Sequence, residues 1–292
     1  MRRFAALLFS ILLAISLCAC GVSISEVNSP TPTPLPVASA EPTPDPTPEA
    51  TPERAPEAGE LVRAVDVIPG IYTDARYASE DNFTGRAIYE DSTVYLRYST
   101  AQKLAKVQES LNSLGYSLCI WDGWRPVAAQ FALWRACPDP VYVANPFSGV
   151  SGHCRGNTVD ITLVTLDGES VAMPSDFDDF SFLADRDYSD VSPEAAENAL
   201  LLEELMTAAG FRPYSAEWWH YTDNDAYDVL ASRTEPPVMR ALEGAALLDA
   251  PGGNTLAYLA EGTELAVLDE AEGSALVSSP LGYGYVELDT IG

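Results

Sequence analysis

Ten of the 28 residues from Ser29 to Pro56 are proline, and no helix or sheet can be built through them. Each proline lacks a backbone N–H and holds φ near about −65°. Such a segment favours extended polyproline conformations and has no apolar surface to bury. A second break, Glu235-Pro236-Pro237, falls near the other end. The folding part of this 292-residue chain is thereby divided into about 175 residues from Leu61 to Glu235 and about 55 from 238 to 292. The first piece is a comfortable single domain. The proline-rich stretch, within a linker from 21 to 60, reads as a stalk. At roughly 3 Å per residue it reaches on the order of 100 Å.

Charge removes whole classes of partner. Forty-three acidic residues against 16 basic ones leave a formal net charge of −27. Such a chain repels phosphate backbones, so a nucleic-acid partner is excluded. Electrostatic docking on anionic lipid is disfavoured for the same reason. Attachment to a membrane must come from elsewhere, and the first 20 residues offer a route. Arg2 and Arg3 precede an apolar run from Phe4 to Leu17, shorter than the roughly 20 residues needed to span a bilayer. The ending Leu17-Cys18-Ala19-Cys20 resembles a lipoprotein signal. That resemblance implies lipidation of Cys20 and a mature protein anchored outside the cytoplasm at the cell membrane, associated with the cell wall. An ordinary cleaved signal with an unmodified cysteine is the alternative.

The central piece interleaves helices and strands. Leu104, Val107, Leu111 and Leu114 recur at helical spacing within Thr100 to Leu114, with Gly115 as the stop. Leu118 to Trp121 is a strand candidate. Pro126 opens a helix that closes before Pro138. From Thr158 to Val164 apolar and polar residues alternate, placing Val159, Ile161 and Leu163 on one face and Asp160 on the other. Ser192-Pro193 begins another helix that ends at Gly210, and the aromatic run Phe211 to Tyr221 reads as extended. No regular βαβ repeat occurs, so the class is α+β, with a central antiparallel sheet and flanking helices. Beyond Pro237, five apolar bursts separated by glycine-containing turns predict a small all-β barrel. Their spacing and the closing Gly282-Tyr283-Gly284-Tyr285-Val286 resemble a bacterial SH3-like domain.

The chain has only two histidines. His153 lies in Ser151-Gly152-His153-Cys154-Arg155-Gly156, just before the alternating strand with Asp160. His220 ends Glu217-Trp218-Trp219-His220. Imidazole nitrogens and a carboxylate oxygen suit zinc, and a catalytic zinc takes three protein ligands with one position open. Gly152 and Gly156 would let the loop fold His153 back towards Asp160. Taken singly, each residue has a plainer reading: a hydrogen-bonded structural histidine, a solvated aspartate, a pair of core tryptophans. No HExxH occurs, so the common helix-borne zinc site is excluded.

Four segments occur together in a recognisable order: Tyr77 to Gly85, Asp122-Gly123-Trp124-Arg125-Pro126, Ser151 to Thr162 and Glu217 to His220. In combination they resemble the zinc D-alanyl-D-alanine dipeptidases of the vancomycin-resistance type, relatives of zinc D,D-carboxypeptidases. The resemblance implies one zinc per subunit held by His153, Asp160 and His220, Glu217 as catalytic acid/base, and Arg125 as oxyanion stabiliser. It further implies Asp122, Asp178 and Tyr77 around the free amine of the substrate and Ser151 at its carboxylate. The implied substrate is the D-Ala-D-Ala dipeptide; a peptidoglycan stem peptide, or a wall-binding role without catalysis, is the alternative. Met173-Pro174-Ser175 departs from the glycine usual after that methionine. Cys154 replaces the usual serine, and is expected either in a disulfide with Cys119 or Cys137 or as a buried thiol.

Overall fold

The computed structural model describes residues 54–292. The signal segment, Cys20 and all of the stalk before Arg54 lie outside the described residues. The elements of the first part are β1 (Leu61–Arg63), α1 (Ala64–Val67), β2 (Tyr72–Thr73), β3 (Tyr95–Arg97), α2 (Tyr98–Ser113), β4 (Tyr116–Asp122), α3 (Val127–Ala136), β5 (Thr158–Thr165), α4 (Pro193–Ala208), β6 (Phe211–Tyr214) and β7 (Glu217–Asp223). A five-stranded sheet runs in the order β2-β4-β5-β7-β6, antiparallel except for the short parallel pair of β2 with β4.

Apolar spacing explains how the helices dress this sheet. Leu104, Val107 and Leu111 of α2 and Leu202 and Met206 of α4 share one buried cluster with Leu118, Ile120, Val159 and Ile161 of the sheet. Leu114, expected inward, is instead the exposed C-cap of α2. Ser192 caps α4 by accepting from the Ala195 N–H at 3.2 Å, with Pro193 in the first turn. Strand β5 is central, so both of its faces are buried, the polar one included. Trp218 and Trp219 of β7 are buried in that same core. Each indole removes ~150–250 Å² from water, worth roughly 4–6 kcal/mol at ~25 cal/mol per Å². That burial pins the strand carrying Glu217 and His220.

The C-terminal part holds β8 (Val238–Arg240), β9 (Ala246–Leu248), β10 (Thr255–Tyr258), β11 (Glu264–Ala271), β12 (Ser274–Ser279) and β13 (Gly282–Glu287). All five apolar bursts are strands, joined by a sixth, β8, directly after the proline pair. The strands form one antiparallel sheet in the order β10-β9-β13-β12-β11-β8. The expected closed barrel is not what the ladders describe: β10 and β8 are its edges.

Candidate metal centre and active site

Strand pairing brings the distant segments together. In the sheet register Asp160 of β5 stands directly opposite His220 of β7. His153 reaches them from a 3-10 turn, Gly152–Arg155, immediately before β5. Ser151 caps that turn by accepting the His153 N–H at 3.4 Å, and Gly156 ends it at φ +77°, a left-handed conformation that favours glycine.

The proton on His153 is assigned by its neighbour. Nδ1 lies 2.9 Å from the Gly123 carbonyl, which only accepts, so Nδ1 carries the hydrogen and Nε2 presents a lone pair. That lone pair faces Asp160 Oδ2 at 3.3 Å and His220 Nδ1 at 3.4 Å. Asp160 Oδ1 lies 3.0 Å from His220 Nδ1, yet it is buried without an aligned hydrogen-bond partner. The ligand-capable atoms of the three residues all fall within 4.8 Å of one another. Lone pairs converging on one another, with an orphaned buried oxygen among them, are costly unless a cation sits between them. The donor set fits a divalent metal.

Other groups surround this centre. Glu217 Oε2 lies 3.4 Å from His220 Nδ1, close enough to serve the metal's surroundings without completing the ligand set. Burial pushes its carboxyl up to about 7, against the pull of His220. Arg125 is buried; its Nη1 donates to Gln130 Oε1 at 2.8 Å, and its plane lies over the Tyr77 ring at 5.1 Å. Tyr77 donates to Asp178 Oδ2 at 2.8 Å. Asp178 sits at φ 54°, a strained conformation for a residue with a side chain and one found most often at functional sites. Burial is the main force raising its carboxyl to about 7; the Tyr77 hydrogen bond opposes it.

His153, Asp160, His220, Glu217, Arg125, Ser151, Tyr77 and Asp178 all line one cavity of about 270 Å³. Asp122 does not. Expected at the substrate amine, it is fully buried behind Arg125, whose Nε and Nη2 donate to its Oδ2 at 3.0 and 2.7 Å. Tyr89 donates to the other oxygen at 2.6 Å. With both oxygens engaged, Asp122 orients Arg125 and has nothing left for a ligand. The disulfide alternative for Cys154 also falls: Cys119, Cys137 and Cys154 are free, and burial pushes the Cys154 thiol up to about 12.

Sequence reasoning missed Gln130, Tyr89, Tyr214 and the role of Gly123. Tyr214 meets the His220 ring edge-on at 5.6 Å. A Cβ on Gly123 would stand 2.7 Å from the Tyr95 carbonyl and 2.8 Å from Val94 Cγ1, so only glycine lets this carbonyl reach His153. Gly123 and Gln130 carried a signal only in their closeness to Arg125; Tyr89 and Tyr214 carried none.

A cation site with a free carboxylate beside it and a held guanidinium across a small cavity is the equipment of a metallopeptidase. Residues 57–236 match the family described as D-ala-D-ala dipeptidase, and the chain belongs to that family. Its relatives include the D-alanyl-D-alanine dipeptidase of Escherichia coli, 38% identical over 162 residues, covering 56% of this chain and 83% of the relative. The enzyme of that name from Enterococcus faecium is 34% identical over 183 residues, covering 55% and 89%. Among solved structures, a vancomycin-resistance D,D-pentapeptidase in complex with Zn(II) is matched over 46% of this chain and 75% of its own, at 17% identity and a TM-score of 0.29.

Proposed function

We propose that this protein is a zinc-dependent D-alanyl-D-alanine dipeptidase at the extracellular face of the cell membrane, tethered through lipidated Cys20. The observation that carries the catalytic part is the convergence of His153, Asp160 and His220 in a cavity shared with Glu217 and Arg125. These three ligands would hold zinc, whose chemistry at such a centre is polarisation of the scissile carbonyl and acidification of water. Glu217 takes the proton of the attacking water and returns it to the leaving amine. Arg125, fixed by Asp122 and Gln130, faces the oxygen on which negative charge develops. Asp178, steadied by Tyr77, receives the ammonium of the substrate. Ser151, beside the metal turn, takes the substrate carboxylate. The cavity, about 270 Å³, lies near the lower end of the ~300–1,000 Å³ of ordinary ligand sites, room enough for a dipeptide.

Two consequences are measurable. Asp178 holds a cation only when ionised, and its carboxyl titrates near 7. As pH falls through that value the group gains a proton and loses its grip. The KM should therefore rise by about tenfold per pH unit below 7, and Asp178→Asn should flatten that rise while raising KM at neutral pH. Gly123→Ala should displace the carbonyl that orients His153 and weaken zinc binding by about 10–100-fold, the usual cost of losing such an outer partner; competition with a chelator reads it directly.

The envelope location rests on the first 20 residues. Palmitate labelling of the wild-type chain, absent in Cys20→Ala, tests it. The C-terminal sheet is read as SH3-like on its turn spacing and closing aromatic motif. The decisive assay incubates the zinc-loaded chain with free D-Ala-D-Ala or with a pentapeptide stem. Alanine released from the dipeptide supports the proposal. Release from the stem alone transfers the activity to wall remodelling, and no release leaves a wall-peptide binder.

A further inference from the structure

The C-terminal sheet has two buried faces. Along β9, β12 and β13 neighbouring residues point opposite ways. Leu247, Val277 and Val286 enter the module's own core. Leu248, Leu276 and Tyr285, each next in line, enter a different cluster with Val127 and Phe131 of α3 and with Cys154 of the metal turn. The Tyr285 ring meets Phe131 edge-on at 5.7 Å, and its hydroxyl accepts from Arg135 Nη1 at 3.1 Å. Phe131 is the immediate neighbour of Gln130, which holds Arg125; Cys154 is the immediate neighbour of His153.

The strand-free segment leading to the module ties the same pieces together. The Leu230 N–H donates to the Cys154 carbonyl at 2.8 Å, and the Leu230 carbonyl accepts from Trp124 Nε1 at 2.9 Å. The Val127 N–H, at the start of α3, donates to the Ala231 carbonyl at 3.0 Å. An independent wall-binding module on a tether would need neither this apolar cluster nor these bonds.

We propose that the module is the back wall of the catalytic centre, with Leu248, Leu276 and Tyr285 as positioning residues that fix Arg125 and His153 through α3 and the 152–155 turn. The inference rests on the roles given above to Arg125 and His153, but it makes its own claim about packing. A cavity opened behind α3 and Cys154 frees both side chains without touching substrate or metal.

Adjacent residues of one strand supply the test, in the full chain. Leu276→Ala empties the wall facing the site, and Val277→Ala empties the module's own core. Both should lower thermal stability. Only Leu276→Ala should speed amide exchange at Val127 and Leu230, weaken zinc binding by about tenfold and lower kcat with KM held within about twofold, as loss of an outer support does. Leu276→Val, which shortens the same side chain by one methylene, should show the same pattern at about threefold and keeps the test alive if the alanine variant does not fold. Equal effects of the Leu276 and Val277 variants on exchange and zinc affinity, or no effect of either, overturn the proposal. A wild-type chain that binds zinc but cleaves no dipeptide would defeat the functional reading alone; exchange and zinc affinity would still decide this one.

Discussion

Glu217→Gln should lower kcat by about 10²–10⁴-fold, the range expected when a general acid/base is lost, while zinc stays bound. The substitution keeps size and shape, removes the proton acceptor and leaves His153, Asp160 and His220 untouched. Burial already pushes the Glu217 carboxyl above its ordinary range, so an uncharged amide there carries no added desolvation cost and folding should be intact. The diagnostic pattern is a collapsed kcat with KM and zinc content near wild type. Turnover within about tenfold of wild type would remove Glu217 from the proton transfers, because an acid/base residue contributes more than that.

Asp160→Ala should cost more, through binding and stability together. Asp160 is the ligand that both imidazoles face, at 3.3 and 3.0 Å. Without it two ring nitrogens remain, one short of the three protein ligands of a catalytic zinc. Stoichiometric zinc binding and measurable activity should both disappear. The linkage to folding is direct: zinc at a thousandfold excess over its Kd adds about 4 kcal/mol to the native state. For a folded unit of this size that is roughly 8–16 °C in Tm. Zinc should raise the Tm of the wild type by that amount and leave Asp160→Ala unmoved. An equal shift in both would show that the metal binds elsewhere.

The ligand set is legible in the sequence because two histidines leave few combinations and because β5 alternates cleanly enough to separate Asp160 from its apolar neighbours. Cross-strand register then brings Asp160 opposite His220, a juxtaposition that one-dimensional spacing does not encode. Asp122 marks the limit of that legibility. A register shift between Ile120 and Asp122 interrupts the β4–β5 ladder, and such irregularities re-aim a side chain. The carboxylate turns to Arg125, three residues on, and away from the cavity. Tyr89 and Tyr214 arrive from a loop and an irregular strand end, places where no periodicity marks which residue points inward. The module illustrates the same divide. Its five apolar bursts correspond to five strands, but β8 is three residues long behind two prolines and lacks the length for alternation. The covering of its second face by α3 and Cys154 depends on packing between segments far apart in the chain.

Everything proposed for catalysis requires that His153, Asp160 and His220 hold one zinc ion. Diffraction from crystals of the zinc-loaded protein, recorded on both sides of the zinc absorption edge, tests it most directly. Zinc held by these residues gives a single strong anomalous peak per chain, within bonding reach of His153 Nε2, His220 Nδ1 and an Asp160 oxygen. A peak at another site, or none between these side chains at saturating zinc, would contradict it.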